Sequence, residues 1–322
     1  MRTFSLLMAI IVTGIQPATG VAQSSPFAAR TVRIVVPFSA GGSNDVIARA
    51  IAAPLSKRLE VPVIVDNRPG AAGVVGSDHV AKSAKDGSVL LLTSSSFLTS
   101  AATQKQLPYD ALTSFAPIAM IGRGPMLLAV SASSSYRTIY EMIAAARAKP
   151  GSINYGTAGI GSIAHLATEL LDDSAKISMT HVPYKGASNA AVDLAAGQIQ
   201  SMISNYSTLA PLIKGGKIRS LGVTSAAAHP AFPDLPPIAS AVPGFDVAIW
   251  VGVFAPAGTP AAIVDRLNQE INAISASPEL SAVLEPDGAL PEAIAPATFA
   301  ARIADELRQW KRIATEHKIV AE

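Results

Sequence analysis

Short β-branched runs that break at glycine and serine and pass directly into helical patterns recur along this chain, and that alternation admits few folds. Thr31 to Phe38 (TVRIVVPF) is the first run, and Ser39-Ala40-Gly41-Gly42-Ser43-Asn44-Asp45 ends it. Ile47, Ile51, Leu55 and Leu59 then follow at four-residue spacing, a buried helical stripe with Asp45 as the expected N-cap and a kink or early stop expected at Pro54. Val61 to Asp66 and Ser88 to Thr93 read as two further strands, with the glycines at 70, 73 and 76 between them. Strands this continuously apolar, separated by helices, predict a parallel sheet covered on both faces.

A second series starts at Met126. Strand patterns at Met126 to Ala132, Ile153 to Gly156, Ser178 to Pro183, Ile199 to Ser204 and Ile218 to Thr224 alternate with helices over Thr138 to Lys149, Ser162 to Leu171 and Ala187 to Ala196. A proline-rich stretch follows. Helices striped by Ile263, Leu267, Ile271 and Ile274, with Thr259-Pro260 at the start, and by Phe299, Ile303, Leu307 and Trp310 close the chain. The series is expected to leave one lobe, build a second and return, so that 30–127 and 228–322 form lobe one and 128–227 lobe two. A chain of 322 residues is long enough for two cores.

The amino terminus reads differently. A weakly positive Met1-Arg2-Thr3, twelve mostly apolar residues from Phe4 to Ile15, and the small residues Gly20-Val21-Ala22 predict a secretory signal peptide over 1–22. Twelve helical residues rise about 18 Å, too little for a hydrocarbon layer of about 30 Å. An exported chain without a cysteine to carry a lipid points to the periplasm.

Composition removes whole classes of chemistry. Without cysteine there is no thiolate metal site, disulfide or Cys nucleophile. A net charge of +2, with no clustered basic run, offers nucleic acid nothing. The five histidines lie at least sixteen residues apart, so no His pair has metal-ligand spacing, and neither G-x-S-x-G nor a phosphate-binding G-x-x-x-x-G-K-[ST] occurs. No cofactor, metal or catalytic residue is expected. Gly159-Ile160-Gly161-Ser162-Ile163-Ala164 does match G-x-G-x-x-A between strand and helix, but the acidic residue a dinucleotide fold needs about twenty residues on is absent from Thr180-His181-Val182-Pro183-Tyr184. An NAD-dependent enzyme is therefore only a remote alternative.

The same glycines suit a simpler anion. Ser39 to Asn44 and Thr157 to Ser162 each leave a strand and open a helix, where free backbone N–H groups and the positive end of the helix dipole converge. A carboxylate or phosphate is the natural ligand of such a turn. Two turns, one per lobe, suggest a cleft that closes over an anion; ordinary βα turns are the competing reading. Asp45 belongs to the helix, since a carboxylate beside a bound anion would repel it.

Eight blocks occur in order: Val36-Pro37-Phe38-Ser39-Ala40-Gly41-Gly42-Ser43-Asn44-Asp45, Asp66-Asn67-Arg68-Pro69-Gly70-Ala71-Ala72-Gly73, Tyr155 to Leu166, His181 to Gly186, Val223-Thr224-Ser225, Pro243-Gly244-Phe245, Trp250-Val251-Gly252 and Ala255 to Pro260. In these blocks the chain resembles the substrate-binding proteins of tripartite tricarboxylate transporters, the Bug-type periplasmic receptors. It implies an α/β type II periplasmic binding protein, two lobes joined by a two-strand hinge, with a small carboxylate between them and a two-component membrane permease as partner. A monomer is expected. Carried onto matching positions, the ligand contacts are Phe38, Ser39, Gly42, Ser43 and Asn44 on lobe one and Thr157, Gly161, Ser162 and His165 on lobe two. His165 is equally a structural hydrogen-bonder. Ser43-Asn44 stands where Pro-Thr is more usual, on the ligand-facing turn, so ligand preference stays open. Topology adds Ser94 and Ser96 after the third strand and Asn205 at a strand end of lobe two. Trp250 either stacks on a planar ligand or fills the core. A sensor that presents its ligand to a membrane histidine kinase is the alternative role.

Overall fold

The computed structural model describes residues 27, 30–38, 40–184 and 186–320. The expected leader, Ser39 and Lys185 lie outside the described residues. The chain first forms β1 (Val32–Val36), α1 (Ser43–Leu59), β2 (Val63–Asn67), α2 (Val74–Ala81), β3 (Val89–Ser94), α3 (Ser96–Thr103) and β4 (Phe115–Pro125). It then forms β5 (Leu127–Ser131), α4 (Ile139–Ala148), β6 (Asn154–Thr157), α5 (Ile163–Ala175), β7 (Thr180–Pro183), α6 (Ala187–Ala195), β8 (Ser201–Ser204), α7 (Tyr206–Lys214) and β9 (Ile218–Val223). After a long return come β10 (Ala248–Pro256), α8 (Ala261–Ser275), α9 (Pro278–Leu284), β11 (Leu290–Pro291) and α10 (Pro296–Glu316). Two sheets result, ordered β11-β4-β10-β3-β1-β2 and β7-β6-β8-β5-β9.

Both sheets are mixed, where the strand–helix alternation predicts parallel ones. β1 is parallel to β2 and β3, but β10 runs antiparallel to β3 and β4. In the second sheet β6 is parallel to β7 and β8, while β5 is antiparallel to β8 and β9. The cause is the connectivity: β4 carries the chain out of its sheet and β10 brings it back, so the two lie side by side in opposite directions. β4 is disguised in sequence by Pro117, Gly122, Gly124 and Pro125. Gly124 is a steric requirement, since a Cβ there would fall 2.8 Å from the Ala289 backbone, and one on Gly122 would be crowded at 3.2 Å from the Leu290 carbonyl.

The helical stripes point as the spacing predicts. Ile47, Ile51, Leu55 and Leu59 of α1, and Ile263, Leu267 and Ile271 of α8, are buried in one core with β1, β3 and β4 residues. Pro54 does not stop α1, which continues to Leu59, and the N-cap is Gly42, with Asp45 inside the first turn. At α8 the N-cap is Pro260, while the Thr259 hydroxyl donates to the Pro256 carbonyl at 2.8 Å. Trp250 belongs to the core: it is 1% exposed and edge-on to Phe299 with centroids 5.5 Å apart. Its indole N–H donates to Glu306 at 2.7 Å, and the Trp310 indole donates to the same carboxylate at 3.0 Å. Burial pushes the Glu306 carboxyl up, with the two indole donors opposing that shift.

The hinge is stitched by one side chain. Thr224, fully buried, lies between the two crossing segments. Its N–H donates to the Met126 carbonyl at 2.9 Å and its carbonyl accepts the Val247 N–H at 2.9 Å. Its hydroxyl accepts the Met126 N–H at 2.8 Å and donates to the Val247 carbonyl at 2.6 Å. Thr224→Val keeps the shape but strands a buried donor and a buried acceptor, so chemical denaturation should find it less stable by about 1–3 kcal/mol, with Thr224→Ser much closer to wild type.

Candidate functional site in the interlobe cleft

A cavity of about 380 Å³ opens between the amino end of α1 and the first turns of α6 and α7. Gly41, Gly42, Ser43, Val46 and Ile47 line it from lobe one, Ser188, Asn205, Ser207 and Thr208 from lobe two. A smaller pocket of about 60 Å³ adjoins it, lined by Ser43, Asn44, Asn205, Ile249, Val251 and Asp287 among others. Gly42, Ser43, Asn44 and Asn205 are thus brought together in one place.

Among the described residues, the lobe-one turn keeps its leading donors free. Val46 N–H is the first in α1 to find a helical acceptor, the Gly42 carbonyl, so the N–H groups of Ser43, Asn44 and Asp45 face the orphan end of a 17-residue helix. Asp45 bends back: its carboxylate accepts the Gly41 N–H at 2.8 Å and pairs with Arg49 at 3.0 Å. The Arg49 hydrogen bond, helped by the Gly41 N–H, holds the Asp45 carboxyl down to about 2. Gly41 has φ +81°, a left-handed backbone that the sequence pattern did not separate from its neighbour Gly42 at φ −78°.

The lobe-two turn is wired differently. The Thr157 hydroxyl is shared between the Gly159 N–H at 3.1 Å and His181 Nε2 at 2.7 Å. Gly161 N–H donates to His165 Nδ1 at 3.2 Å, and Ser162 caps α5 by accepting the His165 N–H at 3.3 Å. Thr157, Gly161, Ser162 and His165 therefore line neither cavity, and much of their hydrogen-bonding capacity is spent inside lobe two. Gly161, at φ +77°, abuts α3, where a Cβ would sit 2.4 Å from Thr103 Oγ1. Phe38 is partly buried against Gly73 at the edge of lobe one. Ser94 is a buried β3 residue opposite Val251, Ser96 opens α3, and Ser95 between them accepts the Trp250 N–H at 2.9 Å.

Behind the lobe-two turn lies a cluster that the sequence did not signal. His165 and His181 stack with centroids 3.8 Å apart, and Tyr155 stacks on His181 at 5.0 Å. The Tyr155 hydroxyl donates to Glu169 at 2.5 Å, and Glu169 also meets His317 at the end of α10 at 3.3 Å, a link between lobes. Burial drives both stacked imidazoles toward neutrality, His165 to about 3 with His181 adding to the effect, and His181 to about 4. Nearby Asp172 is pushed up to about 7 by burial.

The profile of the tripartite tricarboxylate transporter family receptor (TctC) matches residues 47–319. The chain belongs to that family. Protein BugT of Bordetella pertussis is 35% identical over 293 residues, 90% of each chain. A Pseudomonas sp. (strain P51) protein described only by its position between tcbD and tcbE is 38% identical over 297 residues, 92% of this chain and 88% of its own. Among solved structures, Rpa4515 of R. palustris with adipate superposes with a TM-score of 0.83 at 35% identity, covering 91% of this chain and 99% of that one. MatC from Rhodopseudomonas palustris with bound malate gives 0.79 at 31% identity, covering 89% and 99%, and the periplasmic binding protein BugD 0.79 at 32%, covering 91% and 99%. The fold of this receptor is thus that of a type II periplasmic binding protein, and among the described residues no helix is long and apolar enough to cross a membrane.

The stacked histidines make a pH signature for the receptor. Their folded pKa values lie below the usual 6.5, so as pH falls from 6.5 toward 4 the unfolded chain takes up protons that the native one refuses, and stability is lost. Asp172 acts oppositely, because its raised value stabilises the native state at low pH and that gain is lost as pH rises toward 7. His181→Gln removes one histidine and leaves Asp172 in place. Its melting temperature should therefore decline less steeply than wild type between pH 6.5 and 4; parallel curves would show that His181 is not held neutral.

Proposed function

We propose that the protein is an extracytoplasmic receptor, exported by the 1–22 leader, that captures a small carboxylate between its lobes and delivers it to a two-component membrane permease of the tripartite tricarboxylate type. The observation that carries this reading is the amino end of α1, whose unspent N–H groups at Ser43, Asn44 and Asp45 border a cleft of ligand size. Adipate and malate in the related solved structures support a carboxylate as the ligand class. The lobes divide as 30–127 with 228–322 against 128–227, the protein works as a monomer, and it performs no chemistry on its ligand.

Contacts to the carboxylate come from the α1 turn, Ser39, Gly42, Ser43 and Asn44 with Phe38 beside them. Asn205 faces them from lobe two. Thr157, Gly161, Ser162 and His165, with Ser94 and Ser96, line neither cavity in this conformation and would join the site only as the lobes adjust around the ligand. Small anions suit such a site, because backbone N–H groups supply positive potential without a mobile cationic side chain.

Calorimetric titration of the purified protein with mono-, di- and tricarboxylates, including aromatic ones, should give saturable binding to at least one class. A folded protein that binds none would end the proposal. Gly41→Val, which cannot take φ +81° without strain, should weaken that binding by roughly ten-fold or more while the rest of α1 stays helical by circular dichroism.

A further inference from the structure

We infer that Asp287 is a specificity-determining residue of the cleft, which makes the receptor select small monocarboxylates over dicarboxylates of the same chain length. The inference rests on the carboxylate-receptor reading above.

Asp287 ends the turn after α9, on lobe one, and reaches across the cleft to the first turn of α7. Its carboxylate accepts the Ser207 N–H at 2.6 Å, the Ser207 hydroxyl at 3.0 Å and the Asn205 side-chain amide at 3.5 Å. The donors that lobe two could offer a ligand at this point are therefore occupied by a carboxylate that the protein itself supplies. Asn205 spends there the end of its side chain that could donate.

The charge balance of the cleft adds to this. Among the described residues lining the two adjoining cavities, Asp287 is the only charged side chain. Arg49, near the mouth of α1, is committed to Asp45 and to Asn67. One ligand carboxylate is served by the free N–H groups of α1, but a second one directed to the other side would meet like charge and a filled set of donors. What faces the body of the ligand is apolar, Val46, Val283 and Pro286, or hydroxylic, Ser188 and Thr208. Such a wall accepts an aliphatic, aromatic or hydroxylated tail and costs a tail that ends in a charge its desolvation.

The test is calorimetry on wild type and Asp287→Asn with chain-matched pairs: butyrate and succinate, hexanoate and adipate, benzoate and terephthalate. Wild type should bind the monocarboxylate of the preferred pair about ten-fold tighter or more. Asp287→Asn should strengthen the dicarboxylate by about ten-fold, close to 1.4 kcal/mol, and leave the monocarboxylate within about three-fold. Ser207→Ala removes one tie to Asp287 but keeps its charge, so its preference should match wild type; a purely structural role for Asp287 would instead make both variants lose both ligands together. Equal or tighter binding of the dicarboxylate by wild type, or a shift of both ligands alike in Asp287→Asn, overturns the role of Asp287 while the carboxylate reading stands. No binding of any carboxylate by folded wild type overturns both.

Discussion

Two segments of backbone cross between the sheets of this receptor, and at the crossing each must find hydrogen-bond partners that neither sheet provides. Thr224 supplies them from both its backbone and its hydroxyl, tying Met126 on the outgoing segment to Val247 on the returning one. Burial makes this tie obligatory, because an unpaired peptide group there would cost more than the bond itself contributes. The crossing is thereby a short, fully bonded connection between the two sheets. It works with the ties that Asp287 makes to Ser207 and Glu169 to His317 in setting the α1 turn against the first turn of α7.

The cleft is asymmetric in how its two turns spend their donors. On lobe one, Asp45 turns back to Gly41 and Arg49, which leaves the leading N–H groups of α1 unspent and places no carboxylate among them. On lobe two, Thr157, Gly161 and Ser162 are held by His181, His165 and the start of α5. The stacked, neutral imidazoles fix that turn from behind, and through Glu169 and His317 the same cluster reaches α10 on the other lobe. One turn is prepared to receive an anion and the other to hold a shape.

The strand–helix series and the helical stripes were legible because apolar periodicity is a local property, and the stripes of α1, α8 and α10 are buried as their spacing predicts. β4 and β10 are not legible as strands from pattern: their prolines and glycines resemble loop, and the neighbours that crowd those glycines, such as Ala289 and Phe299, lie far away in sequence. The same limit governs the site. Gly42, Ser43 and Asn44 follow one another beside a strand end and could be named, whereas Asp287 meets Ser207 across 80 residues and carries no motif. His181 escaped for the same reason, because its role exists only once β7 lies against β6 and brings it to Thr157. Gly41 and Gly42 differ only in backbone conformation, which no composition distinguishes.

The chain has two tryptophans, and both donate to the same Glu306 carboxylate close to where β10 enters lobe one. Its tryptophan emission therefore originates from a single neighbourhood, about one carboxylate wide, on one lobe. An emission signal would follow the integrity of that neighbourhood and the departure of α10 from it. Neither indole lines the cleft, so a fluorophore that reports on it directly would have to be introduced there.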